Sequence, residues 1–331
     1  MALPVTRALA IGAALLFVAG CAGGSAPVLN SGQNMQSRLV QQPATRTLLG
    51  PVVSGNIVVP AVPRSMGPGY MAPVLPKTIL YVADIQHNQV VLFNPSTKAL
   101  TQVGSITSGM NAPSGVAIDT NGVLYVANLG NNTVTEYKHG ATTPFFTITG
   151  SLSSPYGIAV DLDGNVFVSN LGTNAVTAYR PHKTTPYATI AISGQPVGMA
   201  SDSKENVYVA SDSTSQVFFI KADSKTASPL ALSGVGGPVG VAIGAKDKLY
   251  VGNFGNNNVT VYAAGKTTPS YTITSGINQP TQDGTVMGGL FFQSDQTGAV
   301  EGYKGSSTTP YGQITSIPQP MGDAGYPRQG F

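Results

Sequence analysis

From residue 79 onward the chain is a succession of short apolar runs, five or six residues long, separated by Gly, Asn, Asp and Pro. One stretch shows the unit cleanly. It reads Pro155-Tyr156-Gly157-Ile158-Ala159-Val160-Asp161, then Asn165-Val166-Phe167-Val168-Ser169-Asn170, then Ala175-Val176-Thr177-Ala178-Tyr179, then Pro186-Tyr187-Ala188-Thr189-Ile190. Runs of this length, rich in β-branched and aromatic residues and bounded by turn formers, predict four β-strands. The strand-b aromatic recurs at Tyr81, Tyr125, Phe167, Tyr208, Tyr250 and Phe292, at separations of 44, 42, 41, 42 and 42 residues. A period of about forty residues made only of short strands and turns predicts the blade of a β-propeller. The fold class expected is therefore all-β, a six-bladed propeller of four-stranded blades, with strands a to d running from axis to rim.

Each part of the repeat has a physical use. Asp161-Leu162-Asp163-Gly164 and Asp119-Thr120-Asn121-Gly122 place Asn or Asp before Gly between strands a and b, as tight hairpins require. A calcium loop is not expected there, because the other copies lack the oxygens. Pro-x-Gly opens strand a at Pro113/Gly115, Pro155/Gly157, Pro196/Gly198, Pro238/Gly240 and Pro320/Gly322. Proline sets φ and glycine lets backbones crowd at a narrow axis. Small residues follow at Ala117, Ala159, Ala200, Ala242, Gly284 and Ala324, and a valine opens strand c at Val90, Val134, Val176, Val217, Val259 and Val300. The first copy has strands b, c and d but no strand a, whereas Gln319 to Ala324 reads as an extra one. The C-terminal strand is thus expected to complete the N-terminal blade, with Gly67 to Ala72 as a second contender for that slot.

These words, Pro-x-Gly-Ile-Ala-Val-Asp, x-Gly-Asn-Val-Phe-Val-Ser-Asn and Asn-x-Val-x-x-Tyr, resemble NHL repeats over about residues 79 to 331. The resemblance implies a six-bladed propeller of the wider set that includes gluconolactonase-like hydrolases, streptogramin lyases and binding modules. WD40 repeats do not fit, because the chain has no Trp.

The N-terminus has a different character. Residues 1–20 carry Arg7 and an apolar run from Ala8 to Val18, too short for a stable bilayer span. Val18-Ala19-Gly20-Cys21 resembles a lipoprotein lipobox, which implies cleavage before Cys21, the single cysteine, and its lipidation. Residues 21–77 are Pro-, Gly- and Gln-rich without sustained periodicity and read as a tether, with a flexible-coil reach of roughly 40 Å. The propeller is assigned to residues 78–331. These features predict an extracytoplasmic chain held to a bacterial membrane through Cys21.

Charge is sparse: 17 basic and 14 acidic residues in 331, net +3. No Lys/Arg run appears in the sequence, so no nucleic-acid partner is expected; an unknown protein or glycan partner at the envelope, and a monomer, are. His87 falls in a b–c loop, and His139 and His182 in c–d turns, off the inner strands where a lyase-like site would need them. The residue three past each strand-b anchor forms a polar set, Asp84, Asn128, Asn170, Ser211, Asn253 and Asp295, which reads either as a ligand-binding funnel ring or as caps on local turns. The repeat breaks in the sixth copy, where Asp283 stands at the slot of Val116, Ile158, Met199 and Val241; Asp323 takes it in the closing strand. Adjacent carboxylates of this kind read as a channel cation site or an acid/base pair, or as local irregularity. Gluconolactonase-like ligands are missing from the other inner strands, which offer Ser114, Tyr156, Val197 and Val239. No catalytic residue, metal or cofactor is assigned. A non-catalytic binding module is expected, with an extracytoplasmic metal-dependent hydrolase or lyase as the alternative.

Overall fold

The computed structural model describes residues 70–71, 74–282 and 284–328. It is an all-β, six-bladed propeller: six antiparallel sheets set in a ring, with a single turn of 3-10 helix at Ala245–Asp247 among the described residues. The inner strands of the second to fifth blades are Pro113–Ile118, Pro155–Val160, Pro196–Ser201 and Pro238–Gly244. The sixth blade keeps only Thr285–Met287 as inner strand, with an isolated bridge between Pro280 and Asp295 where Pro-x-Gly is lost.

The ring closes as the repeat predicts. Pro320–Tyr326 pairs antiparallel with Ile79–Asp84, in one register from Ile79↔Tyr326 to Val82↔Asp323 and, after a bulge, at Asp84↔Pro320. Tyr70–Met71 does not compete for that slot. It pairs instead with the outer strand Thr101–Ile106, as a fifth strand on the rim of the closing blade.

Blade faces pack through the valines of strand c, all six of which are fully buried. Val134 lies with Ile158, Val166 and Val168 of the next blade, and Val300 with Leu80 and Val82 across the closing seam. At the axis, inner strands approach so closely that a Cβ on Gly157 would stand 2.2 Å from the Val197 carbonyl oxygen. This is why Pro-x-Gly recurs: a side chain there has no room.

Because every pairing is antiparallel, a–b and c–d turns emerge on one face of the ring, the hairpin face, and b–c and d–a loops on the other, the loop face. On the loop face, turn residues with left-handed backbones reach across to the next blade. Asn88 (φ 51°), Asn132 (φ 57°) and Asn257 (φ 51°) accept the backbone N–H of Ala112, Ser154 and Gln279 at 2.6, 2.7 and 2.9 Å. Asn tolerates that conformation and carries the acceptor, so one residue type satisfies both demands.

Candidate functional site

The axial channel holds a cavity of about 100 Å³. Its wall is the ring of small residues, Ala117, Ala159, Ala200, Ala242, Gly284 and Ala324, backed by the aliphatic side chains beside them. On the loop side the fully buried Gln282 donates from Nε2 to the Tyr156 carbonyl, reaching from the sixth blade to the third, and Ser114 donates to the same oxygen at 3.0 Å. On the hairpin side Arg328 donates to the Asp161 carbonyl at 2.9 Å and to the Ser201 hydroxyl at 2.7 Å. Gln282 and Arg328 thus bracket the lumen, and both come from places where the repeat is broken or finished.

Asp323 is the carboxyl in this wall. It is 2% exposed; its Oδ1 accepts the Ser294 hydroxyl at 2.7 Å, while Oδ2 has no partner. Burial pushes its pKa up to about 8 against the opposing bonds from Ser294, and the charge of Glu301 adds to the rise. Its companion in the sequence pattern, Asp283, lies outside the described residues. Calcium takes six to eight oxygens. Among the described residues no three His, Cys, Asp or Glu side chains come together as a metal-holding group.

The polar set at the ends of the b strands is placed in the wall of each blade. Asn128 and Asn170 are fully buried; each accepts a d–a loop N–H at about 3 Å and donates to the strand-c hydroxyl of Thr135 or Thr177. Asn253 repeats this with Gly236 and Thr260. Ser211 donates to the Ser193 carbonyl, Asp84 accepts from His87 and Gln89, and Asp295 from Thr297 and Ala299. Their hydrogen bonds run to their own blade's turns, and Asp323 is not among these partners.

Two buried glutamates escaped sequence reasoning. Glu136 stands in strand c where other blades have Leu92, Ala178, Phe219, Val261 or Gly302, and its Oε2 bonds Nδ1 of His182 from the next blade at 2.7 Å. Burial raises its pKa, the bond and charge of His182 opposing. Glu301, on strand c of the sixth blade, is raised to about 8, first by burial and then by Asp295, with Gln313 bonded to its Oε1. A charged residue at a repeat position that is otherwise apolar or Thr was the available signal. The remaining histidines stay in loops, His87 on Asp84 and His139 stacked on Tyr326 at 4.0 Å.

No protein-family model and no curated protein sequence matches the chain. Solved structures match its fold. A chain of a nidogen/laminin complex is similar over 76% of this chain and 100% of its own, at 17% identity and a TM-score of 0.66. A streptogramin B lyase is similar over 74% and 83%, at 14% identity and a TM-score of 0.57. Virginiamycin B lyase from Staphylococcus aureus is similar over 71% and 80%, at 14% identity and a TM-score of 0.52. At such identities the likeness is one of fold.

Proposed function

We propose that this chain is a lipid-anchored, extracytoplasmic propeller that works as a non-catalytic binding module, with the loop face as its contact surface and Cys21 as the site of acylation. The observation that carries the reading is the construction of the loop face. Its turns are cross-linked blade to blade by Asn88, Asn132 and Asn257, so the surface is ordered before any partner arrives, which lowers the entropy cost of binding. Its described loops contain no Lys, Arg or Glu and are rich in exposed Asn, Thr, Ser and Gly, a chemistry suited to hydrogen-bonding a protein backbone or a glycan. The propeller in the nidogen/laminin complex lends the reading a structural precedent of fold only.

A hydrolase or lyase reading rests on Asp323, an acid that is protonated near neutrality and belongs to a residue lining the channel. The two readings separate in one experiment on intact cells. Photo-cross-linkers at Asn131 and Thr173, both exposed on the loop face, are expected to trap one common adduct, and alkyne-fatty-acid labelling to disappear in Cys21→Ser. Turnover of a lactone or depsipeptide that Asp323→Asn abolishes would replace the binding reading with the catalytic one.

A further inference from the structure

Every lysine and arginine from Lys77 to Arg328 lies on the hairpin face. In the sequence they are scattered at intervals of roughly one blade. The ring gathers them. Each of the six c–d turns contributes at least one exposed cation to the rim: Lys98, Lys138, Lys183, Lys221, Lys266 and Lys304 in blade order. Lys204 and Lys246 are exposed on the a–b turns inside that ring.

The acids of the same face do not cancel them. Asp119, Asp161 and Asp202 are buried, and each accepts backbone N–H groups of its own hairpin, at 2.8 to 2.9 Å. Asp163 and Asp223 are the exposed acids there, with Glu205 and Asp247 half-buried. The face therefore has a cationic rim around a hub where acids and bases are mixed. Aromatic rings stand under the rim charges. Lys98 and Lys304 lie 5.4 and 6.0 Å from the ring centre of Tyr311, Lys138 lies 5.4 Å from that of Phe145, and the Arg180 guanidinium lies 4.4 Å from that of Tyr187.

We infer that the hairpin face is a docking surface for an anionic lipid bilayer. Lysines on the turns of one face, with Tyr and Phe beside them, match the interface of a bilayer, where headgroups attract cations and amphipathic rings settle at headgroup level. A planar, laterally mobile array of anionic headgroups can collect under all six turns at once. A rod-shaped polyanion crossing the ring must pass over the hub, where Asp163 and Glu205 offset the cations. Docking by this face leaves the loop face turned away from the membrane and free for a partner. The inference needs no acyl chain and stands or falls separately from Cys21.

The test is co-sedimentation of the purified full chain, carrying Cys21→Ser so that no acyl group contributes, with two kinds of vesicle, phosphatidylcholine alone and phosphatidylcholine with about one third phosphatidylglycerol. The N-terminal segment, which has its own arginines, is held constant by comparing this chain with its full-chain variant Lys98→Glu/Lys138→Glu/Lys266→Glu/Lys304→Glu. Expected is a preference for anionic vesicles at about 0.1 M salt that fades toward 1 M salt, as the Debye length shrinks from about 10 to 3 Å. Each lysine neutralised singly is expected to lower the preference about fivefold, and the four-site variant to abolish it while keeping the wild-type circular dichroism spectrum, since all four side chains are exposed. Equal binding to both vesicles overturns the inference, as does a four-site variant that keeps the preference. So does capture by heparin or duplex DNA without any preference for anionic vesicles.

Discussion

Ser294, on strand b of the sixth blade, donates its hydroxyl to Asp323 on the inner strand of the closing blade at 2.7 Å, across the seam that completes the ring. The bond ties a fully buried carboxyl to the most irregular blade and leaves its other oxygen buried without a hydrogen-bond partner. Burying a carboxylate among methyl groups is costly, so the group holds its proton to about pH 8.

That shift makes stability depend on pH in an unusual direction. An acid whose folded pKa stands above its unfolded value of 3.8 binds more protons folded than unfolded between about pH 4 and 8, so its contribution is complete below pH 4 and is lost as pH rises through 8. Glu301, also raised to about 8, adds to the same slope. Chemical denaturation at pH 5, 7 and 9 is expected to show falling stability, by several kcal/mol in all. Asp323→Asn keeps the shape of the neutral acid, flattens the slope, and should make the variant the more stable protein at pH 9. A wild type equally stable at pH 5 and 9 would refute this origin of the slope.

The second prediction contrasts two glycines. At Gly157 an added Cβ meets the Val197 carbonyl at 2.2 Å, a backbone atom that cannot swing aside. Gly265 has φ +68° in a c–d turn with nothing within 4 Å of the added atom. Gly265→Ala should therefore cost about 1 kcal/mol, the ordinary left-handed penalty. Gly157→Ala must push two inner strands apart and should cost at least about 3 kcal/mol or prevent folding. Urea midpoints of the two variants decide it, and similar midpoints would mean that crowding at the axis is not what Pro-x-Gly serves.

What could be read from the sequence was whatever repeats at a fixed offset. The valine ring, the alanine ring and the closing strand were legible because six copies of one residue type mark one place in a blade. Contacts that join unlike copies were not. Gln282 meets the Tyr156 carbonyl across 126 positions, and Glu136 meets His182 across 46. Arg328 follows the last strand, outside any repeat. The cationic rim escaped for the opposite reason: one lysine per blade is unremarkable along the chain and becomes a ring only when the chain closes. The loop-face latches were half visible, since Asn at the b–c turn announces a left-handed residue but not that its side chain crosses to the next blade.

Those latches give a graded series. Asn132→Gly keeps the φ of 57° accessible and removes only the 2.7 Å bond to the Ser154 amide. Asn132→Ala removes the bond and adds backbone strain. Melting temperatures should fall in the order wild type, Gly, Ala, with about 1 kcal/mol between successive members. An alanine variant as stable as the glycine variant would show that the turn does not hold its left-handed backbone in solution.

The last prediction concerns Glu136, where the repeat elsewhere carries Leu, Ala, Phe, Val or Gly. Its side chain is fully buried, one carboxylate oxygen is bonded to His182, and the other has no partner. A buried charge with an unmet oxygen contributes little net stability, because desolvation offsets the attraction to its partner. His182 is half exposed and is hydrated when released. Glu136→Leu, the residue found at the matching place in the first blade, should thus be neutral or stabilising by about 1 to 2 kcal/mol. His182→Ala should be the destabilising member of the pair, since it leaves the carboxylate buried with neither oxygen satisfied. Measuring both variants and their combination separates the two costs: if the histidine substitution is harmless once Glu136 is Leu, the burden lies in the carboxylate. If Glu136→Leu alone unfolds the protein, the dyad is a structural requirement and Glu136 is not the dispensable charge that its burial implies.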